Sequence, residues 1–381
     1  MSKLSWGMIG GGEGSQIGGA HRVAATLDGA FTFAAGALDI DPEKGRDFAV
    51  RLGAGQDRAY GDWREMLDGE SSRPDRVDLV TVATPNNTHF EITKAFLQAG
   101  FNVLCEKPMT TTIAEAEEIV AIARESGRLC AVNYGYSGYP LVRQMQAMVA
   151  GGELGRVRLV VAEFAHGFHA DAADADNPRV RWRYDPAQAG ISSVVADCGS
   201  HALHMACFVI GQEVTTLSAD FASCIEGRKL EDDALIAFRM NGGTVGRLWT
   251  SAVAVGRMHG LTLQVFGEKG GLRWAQEQPN QLIWTPLNEA SRILERGSSE
   301  LLPAAQRASR LAIGHTEGMF GAFGNLYANL AEAIHAQKEG GRPDKQNLSF
   351  PTAEEGLHSI AAIHAAVASA KAGGTWVAVE R

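Results

Sequence analysis

The sequence is poor in residues that staple a fold or charge its surface with one sign. It has 5 cysteines in 381 residues, Cys105, Cys130, Cys198, Cys207 and Cys224, and no two form a C-x-x-C pair. They read as buried free thiols of a reducing compartment, with no zinc module or disulfide frame among them. Positive charge is not in excess, since 35 Lys and Arg face 44 Asp and Glu for a net charge of -9. A nucleic-acid partner, which needs a basic face, is not expected. No apolar run approaches membrane-spanning length. The segment Met1–Ser5 leads into a strand pattern without the apolar core of a signal peptide, so a cytoplasmic protein is expected. Internal repeats and low-complexity tracts are also missing.

Glycine, by contrast, is plentiful, and it clusters where it has most consequence. The stretch from Trp6 to His21 runs from a short apolar strand (Trp6–Ile9) into Gly10, Gly11, Gly12 and Gly14, then Gly18 and Gly19, with a helical pattern from about Ala20. Strand, glycine turn and helix is the context that raises a glycine motif above chance. Gly10 suits the tight turn, Gly12 lets backbone amides approach a pyrophosphate, and Gly18 lets the helix pack close to the sheet. The helix N-terminus offers unpaired N–H groups to that anion. Five residues separate Gly12 from Gly18 where the usual fingerprint has two. A glycine turn without a ligand is the alternative for this motif alone.

Further along, strands read at Phe31–Leu38, Asp78–Ala83, Asn102–Cys105 and Leu129–Asn133, alternating with helical patterns. Thr112 and Glu115 form a capping box for a helix running to about Ser126. This alternation predicts a parallel sheet covered on both faces, with ligands at the carboxyl ends of its strands. Gly10, Asp39, Thr84, Lys107 and Asn133 all fall at such ends. Asp39 is placed to accept bonds from an adenosine ribose and to repel a 2′-phosphate, which favours NAD over NADP; simple loop polarity before a helix capped by Asp41 is the alternative. For Lys107, desolvation and a neighbouring cationic nicotinamide both disfavour the ammonium form, which suits proton exchange with a substrate hydroxyl. A surface lysine at a loop entry is its alternative, and Glu106 is placed to orient it.

From Gly135 onward the pattern changes. Strands at Val157–Phe164, Val214–Ala222, Ala234–Met240, Gly243–Ala252 and Leu261–Gly267 predict an open, mostly antiparallel sheet. The polar and aromatic segment His166–Asp185 is too irregular for an ordinary connection and reads as a substrate loop. Asp197 and His201 are four apart; if a helix begins near Asp197 they share a face and form an acid–base clamp. A metal site with His204, or a plain helix cap, are the alternatives. Helical patterns at Phe323–Gln337 and Glu354–Lys371 are expected to pack back on the first domain.

Four segments, taken in order, resemble the Gfo/Idh/MocA family of NAD(P)-dependent oxidoreductases. They are the glycine loop with Ile17-Gly18 and His21, then Ala83-Thr84-Pro85-Asn86-x-x-His89, Glu106-Lys107-Pro108, and Asp197-x-Gly199-Ser200-His201. The resemblance covers nearly the whole chain. It implies an α/β protein: a doubly wound Rossmann domain at residues 1–133, and an α/β domain at 134–381 whose open sheet walls the active site and supports a homo-oligomer, dimer or tetramer. It makes Lys107 catalytic with Asp197 and His201, and it makes NAD the cofactor, without a metal. Gly10, Gly12, Ser15, Gln16, Ile17, Asp39, Thr84, Pro85, Asn86, His89, Glu106, Lys107 and Asn133 then bind cofactor. Tyr136, His169, Trp182 and Arg183 join Lys107, Asp197 and His201 as substrate contacts. The implied activity is oxidation of a secondary hydroxyl of a sugar, sugar derivative or inositol-type cyclitol. An NAD-retaining glycosidase and a non-catalytic dinucleotide sensor are the alternatives. Three departures stand out: two extra residues in the glycine loop, Tyr134-Gly135-Tyr136 where an arginine-containing segment is common, and His204 where many members carry Asp. Residues 276–318 match no recognised part of the family.

Overall fold

The computed structural model describes residues 2–341 and 349–380. The chain forms two compact units, Met1–Gly138 with Met319–Leu357, and Tyr139–Gly318 with His358–Arg381. Among the described residues no helix is long and apolar enough to cross a membrane.

The first unit holds five parallel strands: β1 (Leu4–Gly10), β2 (Phe31–Ala37), β3 (Leu79–Ala83), β4 (Asn102–Cys105) and β5 (Cys130–Val132). Their order is β2-β1-β3-β4-β5, so the winding direction reverses between β1 and β3, which opens a crevice at their carboxyl ends. Five helices connect or flank them: α1 (Gln16–Leu27), α2 (Pro42–Arg51), α3 (Trp63–Ser71), α4 (His89–Gln98) and α5 (Ile113–Ser126). The expected Thr112–Glu115 capping box is present, with both reciprocal bonds made. α1 starts at Gln16, earlier than the pattern from Ala20 implies, because Ser15 caps it by accepting from the Gly18 N–H. The helix Met319–Lys338 packs along α1. Its Phe323, Leu326, Tyr327, Leu330 and Ile334 close a core with Trp6, Met8, Phe31, Leu79 and Leu104. The later helical pattern forms Ala353–Lys371.

The second unit is built on nine strands: β6 (Val157–Ala165), β7 (Val214–Ala222), β8 (Asp233–Met240), β9 (Val245–Ser251), β10 (Leu261–Gly267), β11 (Gly270–Ala275), β12 (Gln281–Pro286), β13 (Arg292–Glu295) and β14 (Val377–Ala378). Their order is β13-β12-β11-β10-β6-β9-β8-β7-β14, antiparallel throughout except for the parallel pair β6–β9. Strict alternation sorts the two faces, as in β8, where Ala234, Ile236, Phe238 and Met240 are buried while Leu235 and Arg239 are exposed. Helices Pro140–Ala150 and Ser200–Ile210 cover the buried face.

Residues 276–318 resolve into β12, β13 and a return that holds the short helix Pro303–Ala308. The edge strand β13 and its neighbour β12 bury little, so their alternation is faint in the sequence. The return is held by Arg296, whose five N–H groups find the Asn280 side chain, the Glu317 carboxylate and the carbonyls of Leu311, Ala312 and His315.

Candidate active site

In the first unit the cofactor cradle is set by close backbone approach. Gly10 ends β1 at φ +75°, a conformation that favours glycine. A Cβ on Gly12 would lie 2.7 Å from the Leu38 carbonyl oxygen and 3.0 Å from an Asp39 carboxylate oxygen. Asp39 therefore stands directly against the glycine loop, with its other oxygen accepting from the Asp41 N–H at 3.0 Å. The first turn of α1 contains no acidic residue, so its dipole and its first free amides at Gln16 and Ile17 remain available to an anion. The loop's extra residues are anchored: Glu13 accepts two bonds from Arg51 on α2, at 2.9 and 2.7 Å. These features fit a dinucleotide pyrophosphate and ribose.

Beyond β3, Thr84 and Asn86 are half-buried and Pro85 is exposed. His89, buried at the start of α4, lies 2.8 Å from both the Pro108 and the Thr84 carbonyl oxygens, one on each ring nitrogen. Carbonyls only accept, so both nitrogens donate and the ring is an imidazolium that ties two loops together. Burial pushes the His89 pKa down, but the Cys105 sulfur and the two carbonyls outweigh it and raise it to about 9. The raised value means its stabilisation is full below pH 6.5, the ordinary histidine value, and is lost as pH rises through about 9. On the order of 3 kcal/mol of stability should disappear across that window. Denaturant titrations of the wild type and His89→Gln at both ends of the window check this; a wild-type slope no steeper than the variant's rejects it.

Lys107 is half-buried, just past β4, and its peptide to Pro108 is cis. Beside it, Glu106 is buried, with one carboxylate oxygen accepting from His21 Nε2 at 2.9 Å and from the Asn133 side-chain amide, and the other accepting from the Lys107 backbone N–H at 3.1 Å. Burial alone raises this carboxyl; His21, Asn133 and the Lys107 charge outweigh it and hold it below the usual range. Glu106, Asn133 and His89 are thus engaged by the protein itself. Tyr136 is buried on the short turn Gly135–Gly138, which packs against helix Met319–Lys338.

The second unit carries the other expected residues. Asp197 does not lie within the following helix but in a wide turn, Val195–Gly199, that precedes Ser200–Ile210 and His201. Its carboxylate accepts from Arg183 Nε at 3.2 Å, and that guanidinium sits 4.5 Å over the Trp182 ring. This brings together Asp197, Arg183 and Trp182 from a segment that forms only short turns. His169 Nδ1 is 3.3 Å from the Tyr184 hydroxyl, and Tyr184 is covered by Arg228 at 4.1 Å. Arg228 also donates to the His169 carbonyl and pairs with buried Asp232 at 2.9 Å.

Sequence reasoning saw His166 only as part of the irregular polar segment His166–Asp185, and it missed Glu231. His166 accepts from the Phe168 N–H at 3.2 Å through Nδ1 and faces Cys198 Sγ at 3.4 Å through Nε2. Burial and nearby His169 push its pKa down to about 4, against the pull of Asp197. Glu231, whose pKa burial pushes up, accepts from Ser192 Oγ at 2.6 Å and from the Ser193 and Val195 N–H groups at 2.8 and 3.2 Å. It therefore caps the turn that carries Asp197. No local spacing signals a partner 36 to 39 residues away. Of the cysteines, Cys105, Cys130 and Cys198 are buried as expected, but Cys224 is exposed: it follows β7, where the chain has left the sheet.

Comparison with known proteins places this architecture. Residues 4–134 match the oxidoreductase family with an NAD-binding Rossmann fold, and residues 142–273 match the GFO/IDH/MocA C-terminal domain. The chain belongs to this family of NAD(P)-dependent oxidoreductases, enzymes acting on CH–OH groups. It is 38% identical over 378 residues, 98% of this chain and 96% of the relative, to the uncharacterized oxidoreductase YfiI of Bacillus subtilis (strain 168). Among solved structures, it resembles an inositol dehydrogenase homolog from Azotobacter vinelandii complexed with NAD+, with a TM-score of 0.94, 41% identity, and coverage of 99% of this chain and 97% of that one. The same homolog with NADH and myo-inositol matches at a TM-score of 0.92 and 40% identity, covering 99% and 98%.

Proposed function

We propose that this chain is an NAD-dependent dehydrogenase that oxidises a secondary hydroxyl of a sugar, sugar derivative or inositol-type cyclitol. The observation that carries the reading is the end-to-end match to a homolog solved with NADH and myo-inositol, together with Glu106-Lys107-Pro108 and Asp197-x-Gly199-Ser200-His201 in this chain. NAD, when bound, supplies the hydride acceptor. Gly10, Gly12, Ser15, Gln16 and Ile17 hold the pyrophosphate, and Asp39 holds the ribose. Lys107 accepts the hydroxyl proton. Asp197, paired with Arg183, and His201 bind substrate hydroxyls, with Tyr136, His169 and Trp182 as further contacts. Thr84, Pro85 and Asn86 line the nicotinamide side, held in place by His89, Glu106 and Asn133. The exposed sheet face, which includes Leu235 at 56% exposure, supports pairing with a second copy of the chain.

The test is reduction of NAD, and separately NADP, against a panel of monosaccharides and inositols, followed by the absorbance of the reduced cofactor. Turnover with NAD supports the reading and names the substrate. Tight NAD binding without reduction points to the glycosidase or the sensor. In Asp39→Ala the preference for NAD should narrow by roughly tenfold, the effect of about 1.4 kcal/mol. An unchanged preference removes Asp39 from the ribose site.

A further inference from the structure

A row of buried polar groups crosses the core of the first unit and ends at Glu106. Trp6 Nε1 donates to Thr81 Oγ1 at 2.9 Å; Thr81 Oγ1 is 2.9 Å from the Tyr327 hydroxyl; that hydroxyl is 2.9 Å from His21 Nδ1; and His21 Nε2 is 2.9 Å from Glu106. Trp6, Thr81, His21 and Tyr327 are all at most 2% exposed, so water does not complete their bonding. They come from β1, β3, α1 and helix Met319–Lys338, up to 306 residues apart.

The two ends decide which way the protons point. The indole N–H of Trp6 can only donate, and the ionised Glu106 can only accept. One assignment satisfies every group: Thr81 donates to Tyr327, Tyr327 donates to His21 Nδ1, and the His21 Nε2–H donates to Glu106. In the reverse arrangement, with Nδ1 protonated and donating to Tyr327, the Thr81 hydroxyl proton would have no acceptor among the described residues, at a site with 0% exposure. An unmet donor there carries the full cost of its lost hydration.

We infer that Tyr327 is a positioning residue, acting through His21 to hold the Glu106 carboxylate against the Lys107 backbone. Glu106 spends one oxygen on His21 and Asn133 and the other on the Lys107 N–H, so its orientation fixes the main chain from which the Lys107 ammonium group projects. The Tyr327 hydroxyl pins the Nδ1 side of the His21 ring, while Glu106, which only accepts, keeps the ring proton on Nε2. Without that hydroxyl the ring loses its second anchor, and the donor it presents to the carboxylate is no longer held in one orientation. This assignment deepens the proposed dehydrogenase reading and rests on it for the role of Lys107.

The test uses full-length protein with isotope-labelled histidine, the His21 signals being identified by their loss in His21→Gln. The wild type should show the Nε2–H tautomer of His21 without any substrate, and Tyr327→Phe, which keeps the ring and its packing, should retain that tautomer but shift the Nδ1 resonance as its hydrogen bond is lost. With a substrate from the panel, Tyr327→Phe should lower kcat by roughly tenfold, as small misplacements of a reacting group do, and leave KM for NAD unchanged. His21→Gln keeps a donor for Glu106 and an acceptor for Tyr327 and should retain most of kcat, whereas His21→Leu should not. An Nδ1–H tautomer in the wild type, an unaltered His21 spectrum in Tyr327→Phe, or equal loss in His21→Gln and His21→Leu overturns the inference. If the spectra behave as expected but no panel compound is oxidised, the dehydrogenase reading fails and the hydrogen-bond row stands.

Discussion

Replacing Lys107 with alanine should lower NAD reduction by about a hundredfold or more while NAD binds as before. Positioned proton transfer accounts for losses of that size, and Lys107 is the residue proposed for it, on its strand-end place and its Glu-Lys-Pro motif. The side chain emerges past β4, half-buried, and its backbone N–H is held at 3.1 Å by Glu106. Truncation leaves that backbone bond, the glycine loop and Asp39 in place, so cofactor affinity has no reason to fall. Titrating NAD by intrinsic fluorescence beside steady-state assays separates the two effects. Undiminished turnover would remove Lys107 from the chemistry; lost NAD binding would make it a cofactor ligand.

Gly18→Ala is expected to cost both stability and cofactor affinity. An added Cβ would lie 2.2 Å from the Gly11 carbonyl oxygen and 2.6 Å from the Gly11 Cα. Both are backbone atoms of the loop that closes β1, so no side chain can swing aside. Helix α1 must shift away from the strand, and strain of this kind costs about 1–3 kcal/mol. The same shift carries the α1 amides away from the pyrophosphate, so NAD should bind about tenfold more weakly or worse. Denaturant midpoints and NAD titration of Gly18→Ala measure the two losses together. Gly14→Ala is the control for the loop: Gly14 has positive φ but no heavy atom within 4 Å of the added carbon, so it should show only a backbone penalty. Equal behaviour of the two variants would refute close packing at Gly18 as the cause.

Much of both units was legible because the signals are local. The glycine turn, the apolar strand runs, the Thr112 and Asp41 caps and the alternating buried and exposed positions of β7, β8 and β10 depend on residues a few positions apart. The start of α1 was harder to see, since Ser15 caps it from among glycines that look like loop. The edge strand β13 and its neighbour β12 were not legible because strands with little burial carry weak periodicity.

By itself, then, the sequence determined the alternation of strands and helices, the place of the phosphate turn, and the residues offered at the strand ends, since backbone propensity and periodic burial are written within single elements. The tertiary structure alone decided which polar groups meet. Tyr327 reaches His21, Arg183 reaches Asp197, and Glu231 caps the turn before His201. The physical reason is that a buried donor or acceptor must find a partner or pay for its lost water. Which partner it finds depends on how whole elements pack, and no local spacing encodes that.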